Sequence, residues 1–291
     1  VLVHRAELLR QWQERLTAFL DLPSGILGLI GGGRERLSGL VDVAVMQSLI
    51  RRDDLSELLG RYGQIIVDEC HHISAFSFES VLKQSTARYV TGLTATPERR
   101  DGHHPIIFMQ CGPIRHRSVR PSAAPSALEV RPRFLVAPNM PPESRIQDVF
   151  RTLAEDASRN ARILCDIEDL YRAGRKVLVL TERTEHLDIL SRAVAERIGP
   201  PFVLRGSQSS KQRKAVMDSL ELLDDSAPRI LMSTGRLIGE GFDHAPLDTL
   251  VLAMPISWKG TLQQYVGRLH RVHQGKRDVR VYDYVEVDHP Q

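Results

Sequence analysis

Short apolar runs recur along the first 120 residues and are separated by stretches with helical spacing. The runs are continuous rather than alternating, as in strands that are buried on both faces. They cover Val1–Val3, Ile26–Ile30, Val41–Met46, Gln64–Val67 and Tyr89–Leu93, and a helical segment covers Ala6–Leu20. Strands that alternate with helices predict a parallel sheet with helices on its outside.

The alternation resumes in the second half, after a proline-rich stretch at residues 121–142. Proline blocks helix interiors and central strands, so we expect a connector there, with only Phe134–Val136 strand-like. A long helix is expected at Ile146–Ala173, and strands at Val177–Leu180, Phe202–Leu204, Arg229–Met232, Thr249–Ala253 and Val279–Tyr284. The predicted fold class is α/β, with domains at residues 1–120 and 143–291. Between them we expect a ligand cleft beyond the carboxyl ends of the strands.

The composition is that of an ordinary globular protein, with 42% hydrophobic and 26% charged residues. A net charge of +3 permits nucleic-acid binding without arguing for it. The 3 cysteines are dispersed, as in reduced proteins, so we expect an intracellular, cytoplasmic location. No apolar run is as long as a membrane span, and the start has no signal-peptide pattern.

Two carboxylates, Asp68 and Glu69, directly follow the apolar run Ile65–Val67. Parallel sheets present catalytic groups at the carboxyl ends of their strands. One carboxylate can hold Mg²⁺ through water, and the other can orient an attacking water. Taken alone, the pair fits two solvated acids at a strand end equally well.

Three further segments have residue types that suit phosphate chemistry. Thr94 and Thr96 follow the run at Tyr89–Leu93, where hydroxyl groups can bond catalytic groups or a γ-phosphate. Arg268 and Arg271 are three residues apart, so on a helix they share one face and suit phosphate oxygens. The third segment holds Ser233, Thr234, Gly239, Gly241 and Asp243. Singly, these segments also fit a capped turn, a solvated basic helix face and a glycine-rich loop.

The order and spacing of these segments resemble the motifs of the superfamily 2 helicases along nearly the whole chain. The matching segments are Val1–Trp12 (motif Ia), Asp68–His71 (a DExH box, motif II), Thr94–Thr96 (III), Leu178–Arg183 (IV), Ser233–Asp243 (V) and Gln264–Arg271 (VI). DECHH and GLTATPERRDG resemble the branch of the type III restriction subunits and the xeroderma pigmentosum B repair helicase. That branch has an Arg-Glu-Asp triplet where this chain has Arg99-Arg100-Asp101.

The resemblance implies two tandem RecA-like domains of the P-loop NTPase fold, with ATP and Mg²⁺ as cofactors. It implies nucleic acid as the partner, with DNA favoured over RNA. The implied catalytic residues are Asp68, Glu69, Arg268 and Arg271, with Mg²⁺ on Asp68. The implied ATP contacts are His71, Gly239, Gly241, Asp243 and Gln264. The implied nucleic-acid contacts are His4, Arg5, Gly32, Gln47, Thr181, Ser233 and Thr234, and the coupling residues are Thr94 and Thr96.

The phosphate-binding loop of this family, G-x-x-x-x-G-K-[ST], has no match in the chain. The only Gly-Lys step is Gly275-Lys276, and Arg277 follows it. In the family this loop precedes motif Ia, so we expect a first domain that is incomplete at its N-terminus and a chain that is inactive alone. A catalytically inactive nucleic-acid-binding remnant and an RNA helicase are the alternatives. Nuclease or primase domains are candidate fused or associated partners outside this chain.

Overall fold

The computed structural model describes residues 1–23, 25–72, 76–95, 97, 104–118, 127–138, 140–141, 143–238, 244–256 and 259–287. The chain divides into two compact units, Val1–Val119 and Arg120–Gln291. Each unit has its own six-stranded sheet.

The elements of the first unit alternate between strands and helices. In chain order they are β1 (Leu2–Val3), α1 (Ala6–Leu20), β2 (Leu27–Gly31), β3 (Arg34–Arg36), β4 (Val41–Val45), α2 (Met46–Leu49), α3 (Leu55–Leu59), β5 (Gln64–Val67), a 3₁₀ turn (Cys70–His72), α4 (Phe76–Leu82), β6 (Tyr89–Gly92) and α5 (His104–Cys111). The strand order is β3-β2-β4-β1-β5-β6. All neighbouring pairs are parallel except β2 with β3, so the carboxyl ends of β1, β2, β4, β5 and β6 lie along one edge.

Successive residues of each strand face opposite sides of the first sheet. Leu2 belongs to one buried apolar cluster together with Ile65 and Val67. Val3, the next residue, belongs to a second cluster, against which α1 packs Leu8. Two-sided burial explains why these strands read as continuous apolar runs.

Strand β3 was not predicted, and it makes the first sheet mixed rather than purely parallel. Its three residues are charged and exposed, so no apolar run marks it. The turn into β3 uses Gly31, Gly32 and Gly33, whose φ angles are 121°, 61° and 79°. Glycine adopts such left-handed conformations without a Cβ clash.

The second unit repeats the architecture with a sheet that is parallel throughout. Its elements are β7 (Ala127–Leu135), α6 (Ile146–Glu155), α7 (Ala157–Arg172), β8 (Lys176–Thr181), α8 (Thr184–Arg197), β9 (Phe202–Leu204), α9 (Ser210–Glu221), β10 (Arg229–Thr234), α10 (Gly235–Ile238), β11 (Thr249–Leu252), α11 (Lys259–Leu269) and β12 (Asp278–Glu286). The strand order is β7-β12-β11-β8-β10-β9, with every neighbouring pair parallel.

Strand β7 corrects the expectation that residues 121–142 form a connector with only Phe134–Val136 strand-like. All nine residues from Ala127 to Leu135 pair with β12. The strand holds Pro132, which cannot donate to a ladder, but β7 is at the edge of the sheet. An edge strand tolerates proline because one of its sides makes no ladder hydrogen bonds.

The single helix expected at Ile146–Ala173 is two helices. Helix α6 ends at Glu155, and Asp156 then leaves helical geometry with φ −66° and ψ 109°. The Asp156 carboxylate accepts hydrogen bonds from the amides of Ser158 and Arg159, which caps α7. An aspartate at this position starts a new helix because it satisfies amides that have no partner within the helix.

Candidate functional site

Asp68 lies at the carboxyl end of β5, which is between β1 and β6 in the first sheet. Its amide donates to the Leu2 carbonyl of β1 at 2.9 Å, which fixes the backbone where the strand ends. The indole Nε1–H of Trp12 donates to Asp68 Oδ2 at 2.8 Å, and the Glu69 amide donates to Oδ1 at 3.0 Å. Burial raises the pKa of Asp68, and the Trp12 hydrogen bond opposes this rise.

The donor set at Asp68 fits a Mg²⁺ ion held through water. Each carboxylate oxygen has one protein donor, and an ionised carboxylate offers about four lone-pair sites. Lone pairs on both oxygens are therefore left for metal-bound water. Within the described part of the chain, no group of three or more His, Cys, Asp or Glu side chains could enclose a metal ion. A single carboxylate suits Mg²⁺, which commonly keeps several waters and takes its other ligands from phosphate oxygens.

Glu69, His71 and Thr94 meet beside Asp68. His71 Nδ1 lies 2.9 Å from Thr94 Oγ1 and 3.2 Å from Glu69 Oε2. The backbone joins the same two loops, because the Cys70 amide donates to the Leu93 carbonyl at 2.9 Å. The imidazole therefore links the loop after β5 to the loop after β6. Thr96, expected to share the role of Thr94, lies outside the described residues.

Glu69 has a backbone conformation that is unusual for a residue with a side chain. Its φ is 48°, in the left-handed region. That conformation costs about 1–2 kcal/mol for an L-residue other than glycine. Such strain is characteristic of functional sites, where it is maintained by the surrounding contacts. Here those contacts are the Asp68 carboxylate on the Glu69 amide and His71 beside the Glu69 side chain.

Three segments predicted to contact nucleic acid lie at the carboxyl edge of the first sheet. A Cβ on Gly32 would lie 3.7 Å from Ala6, at the start of α1, and Gly31 packs against Val45 at the end of β4. Gly32 and Gln47 are exposed. The His4 side chain is buried, with 7% exposure, and its electrostatic interaction with Asp68 acts to lower the pKa of that carboxyl.

In the second unit, two hydroxyl groups predicted to contact nucleic acid face inward. Thr181 is 1% exposed, and its Oγ1 lies 2.9 Å from Nδ1 of His186. His186 Nε2 lies 2.8 Å from the side-chain oxygen of Asn160, which only accepts, so Nε2 carries the proton and Thr181 donates to Nδ1. Ser233 is fully buried and donates to the Thr234 carbonyl at 3.2 Å. Thr234 is partly exposed.

Glu182 and Tyr265 were not predicted as site residues. A Cβ on Gly235 would lie 2.3 Å from the Tyr265 hydroxyl oxygen and 2.5 Å from Glu182 Oε1. Any larger residue at position 235 would require these two side chains to move, because real Cβ atoms do not approach so closely. Burial raises the pKa of Glu182. The segments that resemble motifs IV, V and VI thus meet at one point, and the signal for it was the glycine that follows β10.

Arg268 and Arg271 do not share a helix face, contrary to the prediction. Helix α11 ends at Leu269, so Arg268 is in its last turn and Arg271 lies beyond it. Lys276 Nζ donates to the carbonyls of Leu269 at 2.7 Å, Arg271 at 3.2 Å and Ala245 at 2.6 Å. The bond to Leu269 satisfies the last carbonyl of α11, and the bond to Arg271 holds the backbone of that residue. Only the backbone of Gln264 is described, and Gly239, Gly241 and Asp243 lie outside the described residues.

Residues 1–99 match the family described as "Type III restriction enzyme, res subunit", and residues 159–273 match the helicase conserved C-terminal domain. The chain is also 30% identical over 313 aligned residues to the DNA 3'-5' translocase XPB2 of Sulfurisphaera tokodaii. That alignment covers 95% of this chain and 69% of the translocase. The chain belongs to the superfamily 2 helicases.

This helicase core is 25% identical over 265 residues to a probable helicase of Escherichia phage T5. The alignment covers 89% of the chain and 56% of the phage protein. It spans about half the length of some curated relatives that it matches. A structure of Dbp5 from S. cerevisiae, bound to RNA and ADP BeF3, aligns over 100% of this chain and 71% of that chain. The TM-score is 0.63 at 12% identity, a likeness in fold, and it agrees with two RecA-like α/β domains.

None of the helices in the described ranges of this helicase core is long and apolar enough to cross a membrane.

Replacing Lys276 with Met should destabilise the second unit of the helicase core by about 1–3 kcal/mol. The change keeps the apolar stem but leaves three carbonyl groups without their donor, and unsatisfied buried polar groups cost that much. Urea unfolding followed by circular dichroism measures the effect. Lys214→Met, on the exposed side of α9, is the matched control. Equal unfolding midpoints for the two variants would show that solvent replaces the ammonium group.

Acidification should destabilise the second unit through His186. Burial lowers the pKa of His186 from 6.5 to about 3, and the nearby Arg159 contributes. Between these pH values the unfolded chain binds a proton that the folded unit excludes, so stability decreases as pH falls below 6.5. Between pH 7 and pH 5 the loss attributable to this group is about 2 kcal/mol. His186→Gln should reduce the acid sensitivity of the urea midpoint, whereas His116→Gln, at an exposed position, should leave it unchanged.

Proposed function

We propose that this chain is the core of an ATP-dependent DNA translocase or helicase. In this proposal Asp68 holds Mg²⁺ through water, and Glu69 orients the water that attacks the γ-phosphate. The observation that carries the proposal is the grouping of Asp68, Glu69, His71 and Thr94 where the loops after β5 and β6 meet. Phosphoryl transfer depends mainly on positioning and charge stabilisation, and this grouping supplies carboxylates in fixed positions.

The link through His71 supports a coupling role for Thr94. If Asp68 or Glu69 shifts when its ligand is bound or released, the His71 ring beside Glu69 would shift too. The hydrogen bond between His71 and Thr94 would then move the loop after β6. We assign Thr94, together with Thr96, to the coupling of hydrolysis to movement along the nucleic acid. His71 is the ATP-side member of this link.

The nucleic-acid surface of the first unit is assigned to Arg5, Gly32 and Gln47. These residues follow three neighbouring strands at one sheet edge, and backbone contacts made there would give weak sequence preference and strong salt dependence. In the second unit we assign Thr234 to the same surface. Three other predicted contact residues have buried side chains and would support this surface from below rather than contact the nucleic acid directly: His4, Thr181 and Ser233.

Arg268 and Arg271 are assigned to the stabilisation of charge on the transferred phosphate. A guanidinium group offers donors in a planar fork that matches phosphate oxygens. Gln264, Gly239, Gly241 and Asp243 are assigned to ATP contacts on the strength of the family resemblance. The two helicase domains are assigned to residues 1–120 and 143–291, with β7 added to the second domain because it pairs with β12.

DNA is favoured over RNA as the substrate. The translocase of Sulfurisphaera tokodaii is named for DNA, and it is 30% identical to this chain. The sequences around the DExH-type box, DECHH and GLTATPERRDG, resemble the same branch. Use of ATP and DNA also implies that the protein works inside the cell.

The chain contains no G-x-x-x-x-G-K-[ST] loop that could bind the phosphates of ATP. That loop provides the backbone amides and the lysine that position the β- and γ-phosphates. We propose that residues 1–291 by themselves show no nucleic-acid-stimulated hydrolysis, and that turnover needs such a loop in the same protein.

Phosphate release in the presence of single-stranded DNA, duplex DNA and RNA tests the proposal. The test protein joins this chain to a phosphate-binding loop, and residues 1–291 alone are the matched control. Stimulation by DNA in the longer protein alone is the expected result. Stimulation by RNA only would make the chain an RNA helicase, and binding without hydrolysis in both proteins would make it an inactive nucleic-acid-binding protein. Turnover by residues 1–291 alone would show that another segment replaces the loop.

A further inference from the structure

Trp12 has two distinct environments around its side chain. Its ring packs on the apolar cluster that contains Val3, Leu8 and Val43. Its single donor, Nε1–H, lies 2.8 Å from Asp68 Oδ2, fifty-six residues away in sequence. A tryptophan that serves only as packing needs no particular acceptor, whereas this one donates to the carboxylate that we assign to Mg²⁺.

The fold explains how helix α1 reaches Asp68. Val67 faces the apolar cluster that contains Leu2, so Asp68, the next residue, faces the opposite side of the sheet, where α1 packs. Along α1, Leu8, Trp12 and Leu16 are four residues apart and share the helix face that covers this side. Trp12 is therefore presented directly to the carboxyl end of β5.

The contact restrains the carboxylate in one orientation. Oδ1 is held by the Glu69 amide at 3.0 Å and Oδ2 by the indole, so rotation of the carboxylate group would break both bonds. A carboxylate that is fixed in this way presents its remaining lone pairs in constant directions. Metal-ligating carboxylates are commonly hydrogen-bonded by such outer partners, whose loss typically weakens metal binding.

We propose that Trp12 is a positioning residue for the metal-binding carboxylate of Asp68, acting through its indole N–H. This inference rests on the proposed function, because it takes Asp68 as the group that holds the divalent cation through water. Trp12 itself touches neither metal nor nucleotide. Its removal acts on the affinity for the cation through the orientation of Asp68.

Mn²⁺ is a suitable probe, because it shares the oxygen preference of Mg²⁺ and is paramagnetic. The chain has 2 tryptophans, so in the Trp258→Phe background the one indole N–H signal in the NMR spectrum belongs to Trp12. Mn²⁺ at Asp68 should broaden that signal, and Asp68→Asn should abolish the broadening. Electron paramagnetic resonance of free Mn²⁺ measures affinity in the same samples.

Trp12→Phe keeps a ring on the apolar cluster and removes the donor. We expect it to weaken Mn²⁺ binding at the Asp68 site by about 10–100-fold. Leu16→Ala is the matched control, because Leu16 packs on the same cluster one helical turn further along. It should lower stability while leaving Mn²⁺ affinity unchanged, which separates positioning from packing.

The outcomes distinguish the inference from the proposed function. Wild-type Mn²⁺ affinity in Trp12→Phe, with loss of binding in Asp68→Asn, would overturn the role of Trp12 and leave the metal site standing. Broadening that survives in Asp68→Asn would remove the metal from Asp68 and overturn both. If Trp12→Phe does not fold, the hydrogen-exchange rate of the Trp12 indole N–H in the wild-type chain tests whether the bond to Asp68 is present. Slow exchange that becomes fast in Asp68→Ala, which removes both acceptor oxygens, supports the bond, and fast exchange in the wild type overturns it.

Discussion

Replacing Arg268 or Arg271 with alanine should lower ATP turnover by about 10³–10⁵-fold. An arginine that stabilises the charge of the transition state in phosphoryl transfer accelerates turnover by that factor. DNA affinity should stay nearly unchanged, because the proposed role is at the phosphate rather than at the nucleic acid. Arg→Lys should not restore turnover, since a point charge cannot reproduce the planar fork of donors. The measurements are steady-state phosphate release and DNA binding by fluorescence anisotropy, in a protein that also carries a phosphate-binding loop.

The positions of the two arginines refine this expectation. Arg268 is held within α11, while Arg271 follows the helix and its backbone is positioned through Lys276. Lys276→Met should therefore reduce turnover, because it releases the backbone of Arg271. Arg268 should stay in place, because it is held within α11. Arg277→Ala, an exposed arginine in the same segment, is the control and should retain wild-type rates. Loss of DNA binding with hydrolysis intact would make both arginines contacts to the nucleic-acid backbone.

Glu69→Gln should reduce turnover by about 10²–10⁴-fold while ATP binding remains, because the amide cannot polarise the attacking water as a carboxylate does. The substitution preserves the local structure, since an amide oxygen can still face His71 and the left-handed backbone is unchanged. Single-turnover hydrolysis and nucleotide binding are measured separately. The two measurements distinguish an effect on the rate of the chemical step from an effect on ATP affinity.

Glu57→Gln, an exposed glutamate of the same unit paired with Arg61, serves as the control for Glu69→Gln. It should hydrolyse ATP at the wild-type rate. Near-normal turnover in Glu69→Gln would remove Glu69 from the mechanism. A parallel loss of ATP affinity would instead assign it to nucleotide binding.

The pattern of apolar runs was sufficient to predict the parallel strands of the first sheet, including the strand that Asp68 follows, and most strands of the second sheet. Such strands are buried on both faces, so their residues are apolar whatever their neighbours are. Strand β3 has only exposed, charged residues and was missed for that reason. Strand β7 was underestimated because proline argues against a strand unless its place at an edge is known.

Candidate site residues divide in the same way. Residue types and spacing along the chain were enough to select Asp68, Glu69 and Thr94, and to relate them to one family. Sequence spacing could not show that His71 lies between Glu69 and Thr94, or that His4 and Thr181 have buried side chains. The helical face predicted for Arg268 and Arg271 was wrong, because α11 ends at Leu269, before Arg271.

The sequence by itself determined the α/β class, the family and the chemical types available at the strand ends, since these follow from local patterns and motif order. Only the tertiary structure decided which distant groups meet: the Trp12 indole with Asp68, and Gly235 with Glu182 and Tyr265. Hydrogen bonds and close packing depend on distances of a few ångströms between elements. Those distances result from how the elements pack on each sheet, which no local pattern contains.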